Sequence, residues 1–315
     1  MVEKPFEPAY LALLRSDELK QRVKAAYERL HACDLCGHAC HIDRYERLGT
    51  CNTGTQATVA SYHPHLGEEN PLRGWRGSGT IFFSRCNLNC QFCQNYDISQ
   101  LGQGREVEPE DIAVMMLALQ EQGCHNINLV SPTHVVAPIL AALLVAAQGG
   151  LRLPLVWNTG GYDSLATLEL LDGVVDIYMP DMKYADEDIA SKYSKAKCYP
   201  AVNQAAVKEM HRQVGNLVVD ERGIALRGLL VRHLVLPKGL AGTPEIARFL
   251  AEEVSPDTYI NVMDQYRPCY KAGELPPLNR STSRTEFRQA LEQAREAGLH
   301  RFDKREPRAF RIVGI

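Results

Sequence analysis

The chain has 315 residues, 45% of them hydrophobic and 23% charged, with a formal net charge of -3. That size and balance fit a soluble globular protein with one large domain and an appendage, and the charge offers no global attraction to nucleic acid. No apolar run is long enough for a transmembrane helix, and residues 1–30 are charged and helical in rhythm where a secretory leader would be apolar, so a cytoplasmic protein with no membrane partner is expected.

Residues 9–30 place Tyr10, Leu11, Leu14, Leu19, Val23, Ala26 and Leu30 among charges near a 3.6-residue repeat, which predicts a helical arm, with Ser16 and Asp17 able to cap its second helix. Ten cysteines then dominate the organisation: seven lie between Cys33 and Cys93, and only Cys124, Cys198 and Cys269 lie beyond. Thiols clustered in a cytosolic chain point to metal ligation before disulfides, and the three outliers are expected to be buried small residues. Cys33, Cys36, Cys40 and Cys51 follow a C-x2-C-x3-C-x10-C spacing that can supply four thiolates to one centre, with His31, His38 or His41 able to replace a ligand. A structural zinc and an auxiliary iron-sulfur cluster are equal readings of that set. Residues 62–76 have no steady period and read as a loop. Its His63, His65, Glu68 and Glu69 are candidate contacts to a cluster or a substrate, with ordinary loop polarity as the alternative.

A short apolar strand at 80–84 runs directly into Cys86, Cys90 and Cys93, spaced C-x3-C-x2-C. Zinc would want a fourth ligand nearby, whereas three thiolates on a four-iron cluster leave one iron open to an outside molecule. From there strands at 80–84, 126–130, 154–158, 174–179, 229–236 and 258–262 alternate with helices at 109–122, 135–148, 164–172, 201–213, 243–254 and 283–297. Alternation of this kind predicts parallel βαβ units in an α/β fold, with ligands at the C-terminal strand ends. Six units fit an open barrel, and residues 217–226 read as a hairpin inserted before the fifth strand.

The C-x3-C-x-aromatic-C pattern of Cys86, Cys90, Phe92 and Cys93 resembles the signature of the radical S-adenosylmethionine (radical SAM) superfamily. The resemblance implies a partial (β/α)6 barrel, a [4Fe-4S] cluster on those three thiolates, and SAM chelated at the open iron. Within that superfamily the chain is similar to pyruvate formate-lyase activating enzyme-like proteins, which implies further cofactor-binding residues. Asn95 follows the last cysteine as part of a similar polar pair. Ser131 and Thr133 stand where a Gly-Gly-Glu segment is usual, and Asn158 stands where the activating enzymes carry an Asp. Asp181 and Lys183 match an Asp-x-Lys motif, and Arg232 matches Arg-His-x-x-x-Pro. These departures, with the N-terminal thiols, leave the substrate open among a glycyl-radical enzyme, another protein, an RNA and a small metabolite. The implied partner is an external reductant such as flavodoxin or ferredoxin. Three segments are expected: 1–76 as helical arm and four-cysteine module, 77–270 as the barrel, and 271–315 as a C-terminal helix and tail packed on it. A non-catalytic iron-sulfur electron carrier or a metal-stabilised interaction protein is the competing class. It requires no open iron.

Overall fold

The computed structural model describes residues 6–304. The arm folds as α1 (Tyr10–Arg15) and α2 (Glu18–Glu28), then the chain runs through β1 (Ala57–His65), α3 (Asn70–Arg73), β2 (Ser78–Phe83), α4 (Tyr96–Ser99) and β3 (Arg105–Val107). The alternating region follows as α5 (Pro109–Glu121), β4 (Ile127–Val130), α6 (Val136–Gln148), β5 (Leu155–Thr159), α7 (Leu165–Leu171), β6 (Ile177–Pro180), α8 (Glu187–Ser194) and α9 (Tyr199–Val214). It closes with β7 (Val218–Val219), β8 (Ala225–Leu234), α10 (Thr243–Phe249), β9 (Tyr259–Met263), α11 (Arg284–Glu296) and β10 (Arg301–Phe302).

Strand order across the sheet is β10-β9-β8-β6-β5-β4-β2-β1-β3, with β7 beside β8. Six strands, β2, β4, β5, β6, β8 and β9, run parallel to their neighbours, and β10 extends the parallel set. β1 is antiparallel to both β2 and β3, so the sheet ends on an open edge. This is the mixed α/β partial barrel that the strand-helix alternation anticipates. The hairpin at 217–226 is present, but β8 starts already at Ala225, inside the expected turn region.

Strand side chains alternate between two environments, as a period of two demands. Ile127, Leu129, Leu155, Trp157, Tyr178, Leu229, Val231 and Ile260 pack outward into the main core with the helices. Val156, Ile177, Met179 and Leu230 point inward and form a small apolar layer with Leu72 of α3. Leu72 is fully buried and floors the barrel interior. The arm packs through α2 on α6 and α7, and Ala9 and Leu155 donate backbone N–H groups to the two oxygens of the buried Asp176 at 2.9 and 3.0 Å.

Four local expectations change. Residues 62–65 are strand, since Tyr62 pairs with Ile81 and His65 with Ser78; cross-strand pairing overrides the weak local pattern. Pro64 is tolerated because β1 pairs β3 only through Ala57–Val59, leaving one edge open there. Asp17 is left-handed and makes no side-chain cap to α2. Cys198 is exposed and bonded to Glu187 and Cys269 is only half-buried, whereas Cys124 is buried as expected. The expected tail beyond 304 lies outside the described residues, none of whose helices is long and apolar enough to cross a membrane.

Leu72→Ala would remove the side chain that seals the barrel floor. A loss of about 2–5 kcal/mol in denaturant unfolding is expected, the range for a buried Leu truncated in a layer that cannot collapse.

Candidate active site

The cysteine loop leaves the end of β2 through Arg85, whose φ of 67° reverses the chain. It is pinned from below, because Asn89 and Gln91 donate backbone N–H groups to Ser194 and Tyr193 at the end of α8. Leu88, Phe92, Tyr162, Tyr184, Tyr199 and Tyr266 form a second buried cluster beneath it. That aromatic bed keeps water from one side of the loop. Tyr266 belongs to this bed and donates its hydroxyl to the Leu278 carbonyl at 2.6 Å.

Cys86, Cys90 and Cys93 line one wall of a cavity of about 1040 Å3. Burial pushes the Cys86 thiol up to about 12 and the Cys90 thiol to about 11, and each also feels the charge of its neighbouring thiols. Ser194 donates its hydroxyl to Cys90 Sγ at 3.0 Å, and the Leu88 N–H reaches Cys86 Sγ at 3.3 Å. Donors aimed at sulfur suit thiolates that a metal has deprotonated. Among the described residues, no three His, Cys, Asp or Glu side chains are gathered tightly enough to hold a single metal ion. A cluster of several irons takes each thiolate on a different iron, so its ligands stand farther apart than those of one ion.

The opposite wall is built by strand ends. Ser131, Asn158, Asp181, Lys183 and Arg232 all line the cavity, together with Asn95 from the cysteine loop. Asp181 accepts from Lys183 Nζ at 2.5 Å and from Arg232 Nε at 2.8 Å, while an Arg232 terminal nitrogen donates to Asn158 Oδ1 at 2.7 Å. Burial pushes the Asp181 carboxyl up, but Arg232 and Lys183 more than offset this and hold it below the usual range. The pair is therefore no surface contact. Because both Asp181 oxygens are already engaged, the triad presents two fixed cations to a ligand; the carboxylate itself acts as their anchor. Tyr199 steadies it from beneath, accepting the Lys183 N–H at 3.1 Å.

Thr133 corrects an expectation. It is absent from the cavity wall and buried at 1% exposure, donating its hydroxyl to Asp163 Oδ1 at 2.7 Å. Asp163 also accepts from Trp157 Nε1 at 3.1 Å and the Thr159 hydroxyl at 2.7 Å. Sequence reasoning missed Asp163, since an Asp just before a helix reads as a cap; Ser164 is the actual cap of α7. Tight backbone approach next to it requires Gly161, at φ 72°, where an added Cβ would lie 2.2 Å from the Asp181 carbonyl oxygen.

The N-terminal thiols form a second neighbourhood against this loop. Arg44 donates a terminal N–H to Cys33 Sγ at 3.9 Å, and the Cys40 thiol donates to the Cys33 carbonyl at 3.9 Å. Burial pushes Cys36 up to about 12, with the charges of Cys51, Cys33 and Cys40 adding to it. His31 turns away to Asp43 and Tyr45, and His38 places Nε2 2.7 Å from the Asn87 carbonyl, next to Cys86. The Tyr162 carbonyl accepts from both Gly37 and Asn87, tying the two thiol groups to one atom. Buried Arg44, another residue the sequence did not mark, donates to the carbonyls of His134 and Thr53 at 2.7 and 3.2 Å. His134 in turn donates Nε2–H to the Ser84 carbonyl at 2.9 Å, just ahead of the cysteine loop. Of the loop carboxylates, Glu68 and Glu69 line the cavity; His65 does too, whereas His63 stacks on Phe82.

The family profile described as the Radical SAM superfamily matches residues 80–224, which holds the cysteine loop and four of the parallel strands up to β6. Over 299 residues the chain is 32% identical to "Uncharacterized protein MJ0674" of Methanocaldococcus jannaschii, covering 92% of this chain and 82% of that one. The chain belongs to the radical SAM superfamily. Among solved structures, this radical SAM enzyme is similar to Streptococcus suis SuiB bound to precursor peptide SuiA, with a TM-score of 0.46 and 14% identity over 71% of this chain and 47% of that one. It is also similar to TYW1 with a lysine-pyruvate adduct bound, with a TM-score of 0.43 and 12% identity over 69% and 73% of the two chains. The chain thus spans about half the length of SuiB.

Two outcomes follow from the buried polar groups. Asp163→Ala leaves the Trp157 N–H without its acceptor and is expected to cost about 2–3 kcal/mol in urea unfolding. Burial pushes His134 down to about 4, so it stays neutral in the folded chain while the unfolded imidazole protonates near 6.5. Its contribution is complete above pH 6.5 and is lost as pH falls from 6.5 to 4, by up to about 3 kcal/mol. The wild-type minus His134→Gln stability difference, followed by denaturant unfolding across that window, should fall accordingly. The comparison cancels the opposite trend of Asp176, whose carboxyl burial pushes up to about 7.

Proposed function

We propose that Cys86, Cys90 and Cys93 hold the [4Fe-4S] cluster and that the strand-end wall binds SAM, with substrate in the remainder of the cavity. When bound, the cluster and SAM supply one-electron cleavage to methionine and a 5′-deoxyadenosyl radical that abstracts hydrogen from a C–H bond. The single observation carrying this reading is that the three thiols and the Asp181–Lys183–Arg232 triad line the same cavity.

Each residue has a task in that reading. Lys183 and Arg232, fixed by Asp181, orient an anionic carboxylate, and Arg232 does so with a planar fork. Asn158 holds that fork in place at 2.7 Å. Ser131 and Asn95 offer polar contacts along the wall. The aromatic bed of Phe92, Tyr184 and Tyr199 excludes water, which protects a radical from quenching. Thr133 acts one step back, through Asp163.

The N-terminal thiols are read as a second metal centre, since the four sulfurs feel one another's charge and Arg44 already donates to one of them. Its contact with the cysteine loop through His38 and Asn87 favours an auxiliary iron-sulfur cluster over an isolated structural zinc. A flavodoxin or ferredoxin in the cytoplasm would deliver the electron. Activation of a glycyl-radical protein, as in the pyruvate formate-lyase activating enzymes, is one use of such chemistry. Asn158 in place of an acidic residue sets this chain apart from them.

Anaerobic purification with iron, sulfide and zinc quantification tests the metal assignments. Iron and sulfide for two clusters are expected in wild type, falling to one in Cys36→Ala, while zinc in their place would overturn the auxiliary cluster. Cys90→Ala should abolish 5′-deoxyadenosine formation from SAM and dithionite. Wild-type yield from that variant would sink the catalytic reading.

A further inference from the structure

The barrel interior holds an acidic pair that neither the cysteine loop nor the Asp181 triad uses. Glu68 and Glu69 follow β1 and immediately precede α3, whose Leu72 is locked into the apolar floor. The pairing of His65 with Ser78 puts this turn at the start of β2, whereas the cysteine loop leaves the other end of the same strand. The turn therefore enters the cavity from the floor side, and Glu69 reaches up to Asn261, which pairs with Arg232 across β8 and β9.

Glu69 is only 5% exposed. Asn261 Nδ2 donates to its Oε1 at 2.8 Å, which accounts for half of the carboxylate. Oε2 is buried and receives no N–H or hydroxyl donor, its neighbour being the Glu68 carboxyl. A buried carboxylate oxygen with no such donor is costly, and the cavity beside it is where a partner can enter. Arg232 feels the charge of both glutamates, yet its hydrogen bonds go to Asp181 and Asn158, that of Lys183 goes to Asp181, and the Arg73 guanidinium donates to Asn70 at 2.9 and 2.6 Å.

The neighbouring carboxyl sharpens the point. Burial, then repulsion from Glu69, pushes Glu68 well above the usual carboxylate range, against the opposing pull of Arg232. A protonated Glu68 carboxyl supplies the hydrogen bond between the two side chains. An ammonium or guanidinium replaces that proton with several charge-assisted donors and lets Glu68 ionise beside Glu69. We propose that Glu68 and Glu69 form a subsite for a cationic group of the substrate, a protonated primary amine or a guanidinium, seated between the apolar floor and the Asp181 triad. The inference deepens the radical SAM reading and rests on it only for what occupies the cavity above.

Calorimetric titration of the anaerobic holoenzyme tests this with two probes, agmatine for a free small cation and Nα-acetyl-lysine methylamide for a lysyl side chain, against neutral 1-hexanol. Each is run at pH 7 in two buffers of different ionisation heat, and SAM binding is measured in parallel. At least one cationic probe should bind where hexanol does not, with proton release, and should bind at least tenfold more weakly to Glu69→Gln. In Glu68→Gln, which leaves the Asn261 anchor of Glu69 in place, proton release should disappear. Preference for agmatine assigns a small metabolite, and preference for the lysyl probe assigns a protein side chain. No binding by either probe, or equal binding to Glu69→Gln, overturns the subsite. Loss of SAM affinity in place of probe affinity overturns it too, because the pair would then serve SAM. Failure of the radical SAM reading shows itself separately, as wild-type protein that does not bind SAM.

Discussion

Six parallel strands send every second side chain into one shared interior, and every feature of the candidate site depends on that constraint. A closed apolar interior would leave no room for chemistry, and a fully polar one would not hold the strands together. The chain divides the interior by height. Val156, Ile177, Met179 and Leu230 make the floor apolar, while Asn158, Asp181 and Arg232, further along the same strands, make the upper level polar. The floor stabilises the sheet; the upper level lines the cavity.

Burying charge at that upper level is costly, and the structure meets the cost by mutual satisfaction. Asp181 is shared by two cations, and Arg232 is shared by Asp181 and Asn158. Such a network is rigid because any member left unpaired would carry an uncompensated charge. Asp163 does the same one level out, taking three donors from β5 and the turn after β4. Preorganised groups of this kind bind a charged cofactor without rearrangement.

The arm and the thiol module are extensions of this scaffold. β1 lies in the same sheet as the barrel strands, so the segment before residue 77 shares the core. The module abuts the cysteine loop through His38, Asn87 and the Tyr162 carbonyl, and through Arg44 and His134. These contacts place two groups of thiols side by side although more than thirty residues separate Cys51 from Cys86.

The cysteine spacing and the βα alternation were legible in the chain because both are short-range patterns: a few residues between ligands, and a period of 2 or 3.6 along an element. They determined the α/β class, the open barrel and the thiols that meet the cavity. The motifs at the strand ends were legible for the same reason, since Asn158, Asp181 and Arg232 follow apolar runs that announce them. Tertiary structure alone decided which of those residues touch. Thr133 and Ser131 are two positions apart, yet one faces the cavity and the other faces Asp163. Glu68 and Glu69 stood between cluster or substrate contacts and ordinary loop polarity until β1 joined β2 and Leu72 entered the barrel floor. Those outcomes rest on long-range pairing and burial, and no local pattern encodes them.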